Sequence, residues 1–447
     1  MHALKSLSAK LKGQLLGDLL LRRHPLFYPA ARELFDRLED ATLEQRKQFT
    51  MQRMRKVLQA ASRTRYGRQM AGAEHFTDWP LLEKSAVRDD PLAFVLAPVW
   101  LSSPASTSGT TGLPLKLFRS FQSVAVEQAS IDRLLTAKGI NPRTARTAVL
   151  RGDNIKDPSD RQPPFWKYVA GGRRMVMSSN HLSLQTIDAY CSALESFAPD
   201  CLMAYPTSLE SLCRLLQKAG RSLHIPLVVT SSEMLTSQTR RLAQEVLGAE
   251  LMDYYGQAER VAFAYSFREG EYRFLPGYAM VELLLVGEED GMVLYEIVGT
   301  NLWNLRMPLV RYRTGDLIRL PAGLSEAHRE AIRYGVEPFP GVLGRYGDYL
   351  VAPDGAHLMG IDHIPREVEH VVRMQVIQET LHRVRILVVP TPGFSERDRQ
   401  QILHNASLKL PAEMRVEIEI VGELERTAQN KTPFVIRKFE QAGGFSP

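Results

Sequence analysis

The chain has 447 residues, 44% of them hydrophobic and 24% charged, a composition typical of folded globular proteins that excludes disordered and collagen-like ones. A length of this size predicts two to three domains at roughly 100–200 residues each. The formal charge of +6 is mild for the length, so it suits small anionic ligands and predicts no nucleic-acid partner. The 3 cysteines match no zinc or redox spacing, which favours a reducing, cytoplasmic location.

The N-terminal segment is predicted to form a basic amphipathic helix. Leucines recur at helical spacing from Leu4 to Leu19, with lysines and arginines around them. Gly17 and Asp18 interrupt the apolar run, which is too short for a signal sequence or a membrane span. We expect a surface helix packed on its own domain. The alternative is a helix lying on a membrane surface, without stable membrane insertion.

Beyond residue 120 the chain alternates between helical and strand-like patterns. Amphipathic stretches are separated by short apolar runs at 145–150, 201–205 and 226–230. This alternation predicts an α/β fold, with sheets flanked by helices. Residues 271–320 have the pattern of strands, including a hairpin across 287–291.

A Gly- and Pro-rich break near residue 340 separates a second domain. Apolar residues alternate at 384–388 and 416–420 on either side of a helix-like segment, which predicts a small α+β domain. Residues 344–447 carry 13 basic and 14 acidic side chains, so the positive balance lies in the larger part, where we expect an anionic ligand to bind. The predicted domains are residues 1–343 and 344–447.

The first strong motif is the sequence TSGTTG at 107–112. Its glycines allow close backbone approach, and its amides and hydroxyls can donate hydrogen bonds to phosphate oxygens. No Gly-Lys-Ser/Thr follows, so it is not a Walker A loop. A polar surface linker is the alternative interpretation of this stretch taken alone.

Further motifs follow in a fixed order: DYYGQAE at 253–259, RYRTGD at 311–316, GRYGD at 344–348 and Lys431 in a polar turn. Each alone is common, but their order and separations are specific. With the longer stretches TSGTTGLPLK, MPLVRYRTGDLIRL and PGVLGRYGDYL, they resemble the adenylate-forming (acyl-CoA synthetase-like) superfamily. Within it, the chain is most similar to the phenylacetate–CoA ligase and CapK-like branch, from about residue 80 to the end.

The resemblance implies a large N-terminal adenylate-forming domain that binds ATP and a carboxylic acid, and a small mobile α+β C-terminal lid domain. The implied enzyme is an acid–thiol ligase. It would form an acyl adenylate with release of pyrophosphate, then transfer the acyl group to CoA or to the phosphopantetheine of an acyl carrier protein. The branch favours aryl acids.

The resemblance also implies roles for individual residues. Glu259 would bind Mg²⁺, which needs one or two carboxylates besides phosphate oxygens and water. Lys431 and Thr110 would complete the catalytic set. The residues implied in ATP or AMP binding are Ser108, Gly109, Thr110, Thr111, Gly112, Ser232, Glu233, Asp253, Tyr254, Tyr255, Gly256, Asp316 and Arg345. The implied hinge and acid-pocket residues are Gly347 and Asp348, and Tyr205, Pro206 and Phe263, respectively.

The sequence departs from the family pattern at the phosphate loop and beside the metal site. Leu113 replaces the usual lysine, so another cation must meet the phosphate charge, with Lys116 and Arg119 as candidates. Ala258 replaces a hydroxyl residue before Glu259. The stretch that follows, 263–278, contains no Cys or His, which predicts that the zinc of some relatives is absent here.

Two alternatives stay open. Within the same class, the acyl acceptor is an amine or a hydroxyl. In a different class, the chain is a non-catalytic descendant that binds a nucleotide or acyl group and acts through a partner protein. Leu113 and Ala258 favour this second alternative, whereas intact Glu259, Asp316 and Lys431 oppose it. The arginine run at 143, 146 and 151, a solvated or phosphate-facing surface, has no role that the sequence assigns.

Overall fold

The structure is a computed structural model. It describes residues 18–70, 72–73, 75–106, 115–151, 153, 155–157, 160, 162–179, 181–233, 235, 237–289, 291–342, 350–353, 357–358, 361, 364–365, 368, 370–390, 393–422, 424–425 and 434–438. The chain divides into two compact units, residues 1–105 with 117–344, and residues 106–116 with 345–447. The predicted N-terminal helix lies mostly outside the described residues, and Asp18–Arg22 form a π-helical turn.

The α-helices of the first unit are α1 (Phe27–Glu39), α2 (Leu43–Ala61), α3 (Lys84–Asp89), α4 (Phe121–Ala137), α5 (Ile187–Phe197), α6 (Pro206–Lys218), α7 (Ser237–Leu247) and α8 (Glu326–Arg333). Short 3-10 turns lie at Gly67–Met70, Phe76–Asp78, Pro91–Phe94 and Val99–Leu101. The helix starts follow local chemistry. For α2, Thr42 accepts a hydrogen bond from the Gln45 amide, and the Gln45 side chain accepts one from the Thr42 amide.

Strands β1 (Ser103–Ser106) and β2 (Lys116–Arg119) form a two-stranded sheet. The strands that follow up to residue 321 are β3 (Thr147–Leu150), β4 (Trp166–Val169), β5 (Arg174–Met177), β6 (Cys201–Ala204), β7 (Leu227–Ser231), β8 (Glu250–Gly256), β9 (Phe263–Ser266), β10 (Arg273–Phe274), β11 (Ala279–Glu289), β12 (Met292–Asn301) and β13 (Tyr312–Pro321).

An eight-stranded sheet is the centre of the first unit, with the strand order β10-β9-β8-β7-β6-β3-β5-β4. Its five middle strands, β8, β7, β6, β3 and β5, run parallel. At the two edges, β9 pairs antiparallel with β8, β10 pairs antiparallel with β9, and β4 pairs antiparallel with β5. Leu150, Ala204, Thr230 and Asp253 lie opposite one another across four of these strands. The carboxyl ends of the parallel strands therefore lie at one edge. The predicted α/β architecture is confirmed.

Helices cover both faces of this sheet. On one face α5, α6 and α7 pack around a core that includes Tyr190, Leu212 and Ala243. On the other face α1, α2 and α4 pack around a second core that includes Phe35 and Ala125. Burial on both faces explains why the parallel strands appear in the sequence as short, continuous apolar runs.

The predicted hairpin is confirmed. β11 pairs antiparallel with β12, with Glu289 opposite Met292, and β12 pairs with β13. A bulge between Leu285 and Gly287 adds a residue near the turn. The resulting three-stranded sheet carries the beginning of β13, which contributes side chains to the candidate site.

The second unit is an α+β structure, as predicted. Its elements are β14 (Leu350–Val351), β15 (His357–Leu358), β16 (Val371–Thr380), β17 (Arg383–Pro390), α9 (Glu396–Ser407), β18 (Arg415–Ile420) and β19 (Val435–Arg437). The four-stranded sheet has the order β18-β17-β16-β19. Val376, Ile386 and Ile402 are fully buried in its core, which explains the alternating apolar pattern.

Within the described part of the chain, no helix combines the length and apolar character needed to cross a membrane. Cys191, Cys201 and Cys213 are buried and unpaired with one another. Burial raises the pKa of all three thiols, so they act as small core residues and not as reactive groups.

Candidate active site

Several predicted site residues lie outside the described part of the chain. They are the phosphate-loop residues Ser108, Gly109, Thr110, Thr111 and Gly112, together with Arg345, the hinge residues Gly347 and Asp348, and Lys431. Their roles stay predictions. The site described below is built from residues of the first unit.

The fold brings three predicted segments to one edge of the central sheet. Tyr205 follows β6, Ser232 and Glu233 follow β7, and Tyr255 and Gly256 end β8. These strands are adjacent and parallel, with Ser231 opposite Tyr254. The carboxyl edge of a parallel sheet is where such folds bind ligands, so residues distant in sequence meet in one candidate site.

Glu259 is buried just beyond this edge, and its neighbours among the described residues include Tyr312 and Lys84. The Tyr312 hydroxyl donates a hydrogen bond of 2.8 Å to Oε1, and Lys84 Nζ lies 3.3 Å from the same oxygen. The Glu259 side chain is only 4% exposed, so its charge is shielded from water and held by specific partners. The sequence singled out Glu259 but missed Lys84.

Backbone pairing brings Lys84 to this position. The Leu82 amide donates to the Arg311 carbonyl at 2.8 Å, and the Arg313 amide donates to the Leu82 carbonyl at 2.9 Å. Lys84 then begins α3, and Tyr312 is buried at the start of β13. The backbone pairing of Leu82 with the β13 segment leaves no periodic pattern in the sequence. The one indication that Lys84 belongs to the site was that the family resemblance begins near residue 80.

Asp316 and Tyr255 form a second polar pair. The Tyr255 hydroxyl donates to Asp316 Oδ2 at 2.7 Å and accepts from Gln257 Nε2 at 2.5 Å. Burial, followed by the negative charge of Asp316, raises the pKa of Tyr255 well above its ordinary value. Tyr255 therefore stays a neutral donor at physiological pH and orients the Asp316 carboxylate.

Asp253 has a different environment from Glu259. Its oxygens accept hydrogen bonds of 2.5 Å from the Thr230 hydroxyl and 2.6 Å from the Tyr272 hydroxyl. Burial raises the pKa of Asp253, although both hydrogen bonds act in the opposite direction. The side chain is enclosed within the unit, and its predicted contribution to AMP binding stays a prediction.

Of the two cations proposed to replace the loop lysine, Arg119 lies beside the Glu259 segment. Its Nη2 donates to the Ala258 carbonyl at 2.7 Å, whereas Lys116 is exposed on β2. Burial, followed by the charge of Arg260, lowers the pKa of Arg119 to about 10, so the guanidinium is still charged at pH 7. Its Nε is buried and has no hydrogen-bond partner.

Arg260 follows Glu259 in a left-handed conformation, with φ of 57°. Its Nη1 donates to the Ser123 carbonyl at 2.6 Å, and its Nε lies 3.7 Å from a Glu127 oxygen that also accepts from the Tyr278 hydroxyl. Arg260 is therefore compensated by a carboxylate. Polar groups, and not a wide apolar space, line this side of the site.

The predicted acid-pocket residues occupy different environments. Phe263 is 1% exposed and stacks on Tyr254 with ring centroids 5.4 Å apart, within the core. Pro206 is buried in the first turn of α6, while Tyr205 is half-buried just before it. Their contact with an acid stays a prediction.

Ser232 is exposed at the carboxyl end of β7 and has a left-handed φ of 73°. A serine rarely adopts this conformation, and such strain concentrates at functional sites. That Ser232 and Glu233 line an adenine site stays a prediction.

Glu259 is the carboxylate of this site that we expect a metal ion to contact. Among the described residues, no three His, Cys, Asp or Glu side chains form a metal-ligand cluster. A single buried carboxylate suits Mg²⁺, which is held largely by substrate phosphates and water. The Lys84 ammonium 3.3 Å from Glu259 Oε1 is consistent with a site that accommodates a cation. The predicted absence of zinc stays a prediction.

The family model described as the CapK C-terminal domain matches residues 350–438. Protein CapK of Staphylococcus aureus is 20% identical over 341 residues, covering 75% of this chain and 74% of that protein. The phenylacetate-coenzyme A ligase of Pseudomonas putida is 23% identical over 379 residues, covering 78% of this chain and 80% of that protein.

A solved structure of 2-hydroxyisobutyryl-CoA ligase, in complex with 2-HIB-AMP and CoA, has the same fold, with a TM-score of 0.51. It is 15% identical, and the match covers 89% of this chain and 91% of that one. The fold and these relatives support the resemblance to the adenylate-forming superfamily that the motifs predicted. Within that superfamily the named relatives are CapK and phenylacetate-coenzyme A ligases, the branch that the motifs indicated.

Proposed function

We propose that this chain is an ATP-dependent acid–thiol ligase. It activates a carboxylic acid as an acyl adenylate and then transfers the acyl group to coenzyme A. The observation that carries the proposal is buried Glu259, which has Lys84 and Tyr312 as partners at the carboxyl edge of the sheet. The relatives named phenylacetate-coenzyme A ligase support the same reaction class.

The nucleotide site extends along the ends of β7 and β8. Ser232 and Glu233 line the adenine, with Asp253, Tyr254 and Gly256 forming the adjoining strand. Asp316, oriented by Tyr255, accepts hydrogen bonds from the ribose hydroxyls. An ionised carboxylate suits this role because it only accepts.

Phosphate charge is met by side chains of the first unit and by the glycine loop. Ser108 to Gly112 cradle the phosphates, and Arg119 provides the guanidinium charge that Leu113 lacks. Glu259 would hold Mg²⁺, which when bound neutralises phosphate charge. Lys84 keeps the buried carboxylate of Glu259 compensated when the nucleotide is absent.

The first half-reaction forms the acyl adenylate. A carboxylate oxygen of the acid attacks the α-phosphorus of ATP, and the bond to the bridging oxygen breaks with pyrophosphate as the leaving group. Lys431, Arg345 and Thr110 stabilise the charge that develops on the phosphates. In the second half-reaction a thiolate attacks the acyl carbon and AMP leaves.

The lid residues are proposed to serve these half-reactions alternately. Rotation at Gly347 and Asp348 would withdraw Lys431 before thiol transfer. Lys431→Ala should cripple adenylate formation yet spare thioester formation from pre-made acyl adenylate. Asp348→Pro should do the reverse, because proline fixes φ. Equal slowing of both steps by Lys431→Ala would contradict the alternating role.

We further propose that the acid is aryl, in agreement with the phenylacetate–CoA ligase relatives, and that Tyr205, Pro206 and Phe263 belong to its binding region. The thiol is coenzyme A or the phosphopantetheine arm of a carrier protein. The mild charge is consistent with a cytoplasmic enzyme that has no nucleic-acid partner and no stable membrane insertion.

A non-catalytic nucleotide-binding descendant is the second candidate. The observations that favour it are Leu113 in the phosphate loop and the Lys84 ammonium beside the metal-site carboxylate. In that case the Lys84–Glu259 pair would persist with nucleotide bound, and the chain would act through a partner protein.

Pyrophosphate exchange with a panel of carboxylic acids separates these candidates. We expect Mg²⁺-dependent exchange with at least one acid, and thioester formation when coenzyme A is added. Glu259→Gln is the matched control, because it removes charge while keeping shape. ATP binding without exchange for any acid would favour the non-catalytic candidate, and an amide or ester product would identify a different acceptor.

A further inference from the structure

Arg151 lies at the carboxyl edge of the central sheet without a partner. It follows β3 directly, and its Nε and Nη2 are buried without an acceptor. Within the described part of the chain, Arg151 has neither a hydrogen bond nor an ion pair. Asp153, two residues further on, is exposed and does not compensate it.

Within the described part of the chain, Arg32, Arg53 and Arg119 each have one buried nitrogen without an acceptor, whereas Arg151 has two. Other arginines of this unit are paired with carboxylates. Arg311 forms two-nitrogen contacts with Glu282, Arg313 pairs with Glu296, and Arg260 lies beside Glu127. A guanidinium N–H that is buried without an acceptor loses its water hydrogen bonds and gains none, which is unfavourable. Buried N–H groups without an acceptor are rare in folded proteins. A bound ligand that supplies the missing acceptors would explain their presence at Arg151.

The strand register shows where Arg151 lies relative to the nucleotide site. Leu150 is opposite Ala204, so the next residues along these strands are Arg151 and Tyr205. The same row continues through Ser231 and Tyr254. At about 4.8 Å between strands, Arg151 lies roughly 10 Å from the β7 backbone and roughly 14 Å from β8. Arg151 is therefore too far from β7 and β8 to contact the adenine directly, although it lies at the same edge of the sheet.

The Arg151 side chain belongs to the sheet face that carries the core of α1, α2 and α4. Side chains alternate along a strand, which places Arg151 on the face of Val149 and of its neighbour Met203. On that face, burial raises the pKa of the Cys201 thiol, and the charges of Arg174 and Arg151 oppose the rise. Arg260, the residue after Glu259, and Ser123 line a small cavity together with Val126 and Tyr278 of the same core.

We propose that Arg151 binds a second anionic group of the acid substrate. The inference rests on the proposed function. The reacting carboxylate lies toward Glu259, while a carboxylate, phosphate or sulfate at the far end accepts hydrogen bonds from Nε and Nη2. These two nitrogens form the fork that matches a planar carboxylate. The substrate class is therefore an acid with two anionic groups, on an aryl or an aliphatic frame.

The test compares matched acids in pyrophosphate exchange: 4-carboxyphenylacetate with phenylacetate, and adipate with hexanoate. In whichever pair gives the faster exchange, we expect the wild-type chain to have the higher kcat/KM for the acid that carries two carboxylates. Arg151→Met should lower kcat/KM for that acid by about 10- to 100-fold, the weight of charge-assisted hydrogen bonds, and leave the singly charged partner unchanged. Arg151→Lys keeps the positive charge but lacks the paired N–H donors, so its kcat/KM for the dianionic acid should lie between those of the wild type and Arg151→Met.

Arg146→Ala is the matched control, because Arg146 is exposed at the amino end of the same strand. It should leave both acids unaffected, and thermal melting checks that each variant folds. Exchange with equal use of both acids, or a preference that survives Arg151→Met, would overturn the inference and leave the proposed function standing. An effect of Arg151→Met on the KM for coenzyme A alone would also overturn it. Exchange with no acid would overturn the proposed function as well.

Discussion

Two buried carboxylates flank the end of β8, and their surroundings differ. Asp253, within the strand, accepts hydrogen bonds from the neutral hydroxyls of Thr230 and Tyr272. Among the described partners of Glu259, just beyond the strand, are the Tyr312 hydroxyl and the ammonium of Lys84. Both are about equally inaccessible, with exposures of 4% and 5%. Burial alone therefore does not indicate whether the two carboxylates have the same role.

The partners make the distinction. Each Asp253 oxygen accepts from a neutral hydroxyl of the same unit, which suits a carboxylate that holds the fold together. Glu259 lies beside the Lys84 ammonium, and we expect Mg²⁺ to take over the compensation of its charge when nucleotide binds. Substitutions at the two carboxylates and at their partners test this difference.

Glu259→Gln should have the largest effect. We expect Mg²⁺-dependent pyrophosphate exchange to fall by at least about 100-fold, because the variant loses the charge that holds the metal ion and phosphate in place. Thermal melting should show a folded protein, since glutamine keeps the shape and still accepts from Tyr312. Normal exchange in this variant would mean that another carboxylate binds the metal ion.

Lys84→Met should come next, with exchange reduced by roughly 10-fold or more, because the buried Glu259 carboxylate loses the charged partner that compensates and positions it before nucleotide binds. Methionine preserves much of the apolar stem. Lys116→Met is the matched control, since Lys116 is exposed on β2, and it should change exchange little. A larger effect at Lys116 would contradict the assignment of the phosphate-side cations.

Asp316→Asn should raise the KM for ATP by about 10-fold, because the ribose hydroxyls lose a charged acceptor worth roughly 1.5–3 kcal/mol. The KM for the acid should stay nearly constant. Tyr255→Phe removes the hydroxyl that orients Asp316 and should show a weaker change in the same direction. A change confined to the acid would show that the nucleotide site is misplaced.

Of these substitutions, Asp253→Asn should change activity the least. It should change the pH dependence of the free energy of unfolding the most. Burial raises the pKa of Asp253 in the folded protein above that of the unfolded chain. The folded state therefore binds this proton more tightly, and its stability falls as pH rises through the folded-state pKa, above the ordinary value of about 4. The variant should lose this part of the pH dependence in denaturant titrations. A rise in the KM for ATP equal to that of Asp316→Asn would instead support direct nucleotide binding by Asp253.

Local sequence patterns were sufficient for much of this protein. Apolar runs predicted strands β3, β6 and β7, and the patterns that follow predicted the hairpin and the α+β unit. The motifs singled out Glu259 and Asp316, whose roles stay predictions. These features depend on residues close in sequence, since periodicity and turn chemistry are set within a few positions. The family branch followed from the order of the motifs, which the chain carries without any tertiary information.

The tertiary structure decided which side chains meet. Lys84 reaches Glu259 because Leu82 pairs with the backbone around Arg311, and Arg151 joins the edge because β3 lies next to β6 in the sheet. Neither pairing follows from the local pattern of either segment. The environments of Asp253 and Glu259 likewise depend on side chains supplied by other strands. Local sequence set the elements and the side chains available to them, while the register between distant strands set which charged side chains lie next to a partner.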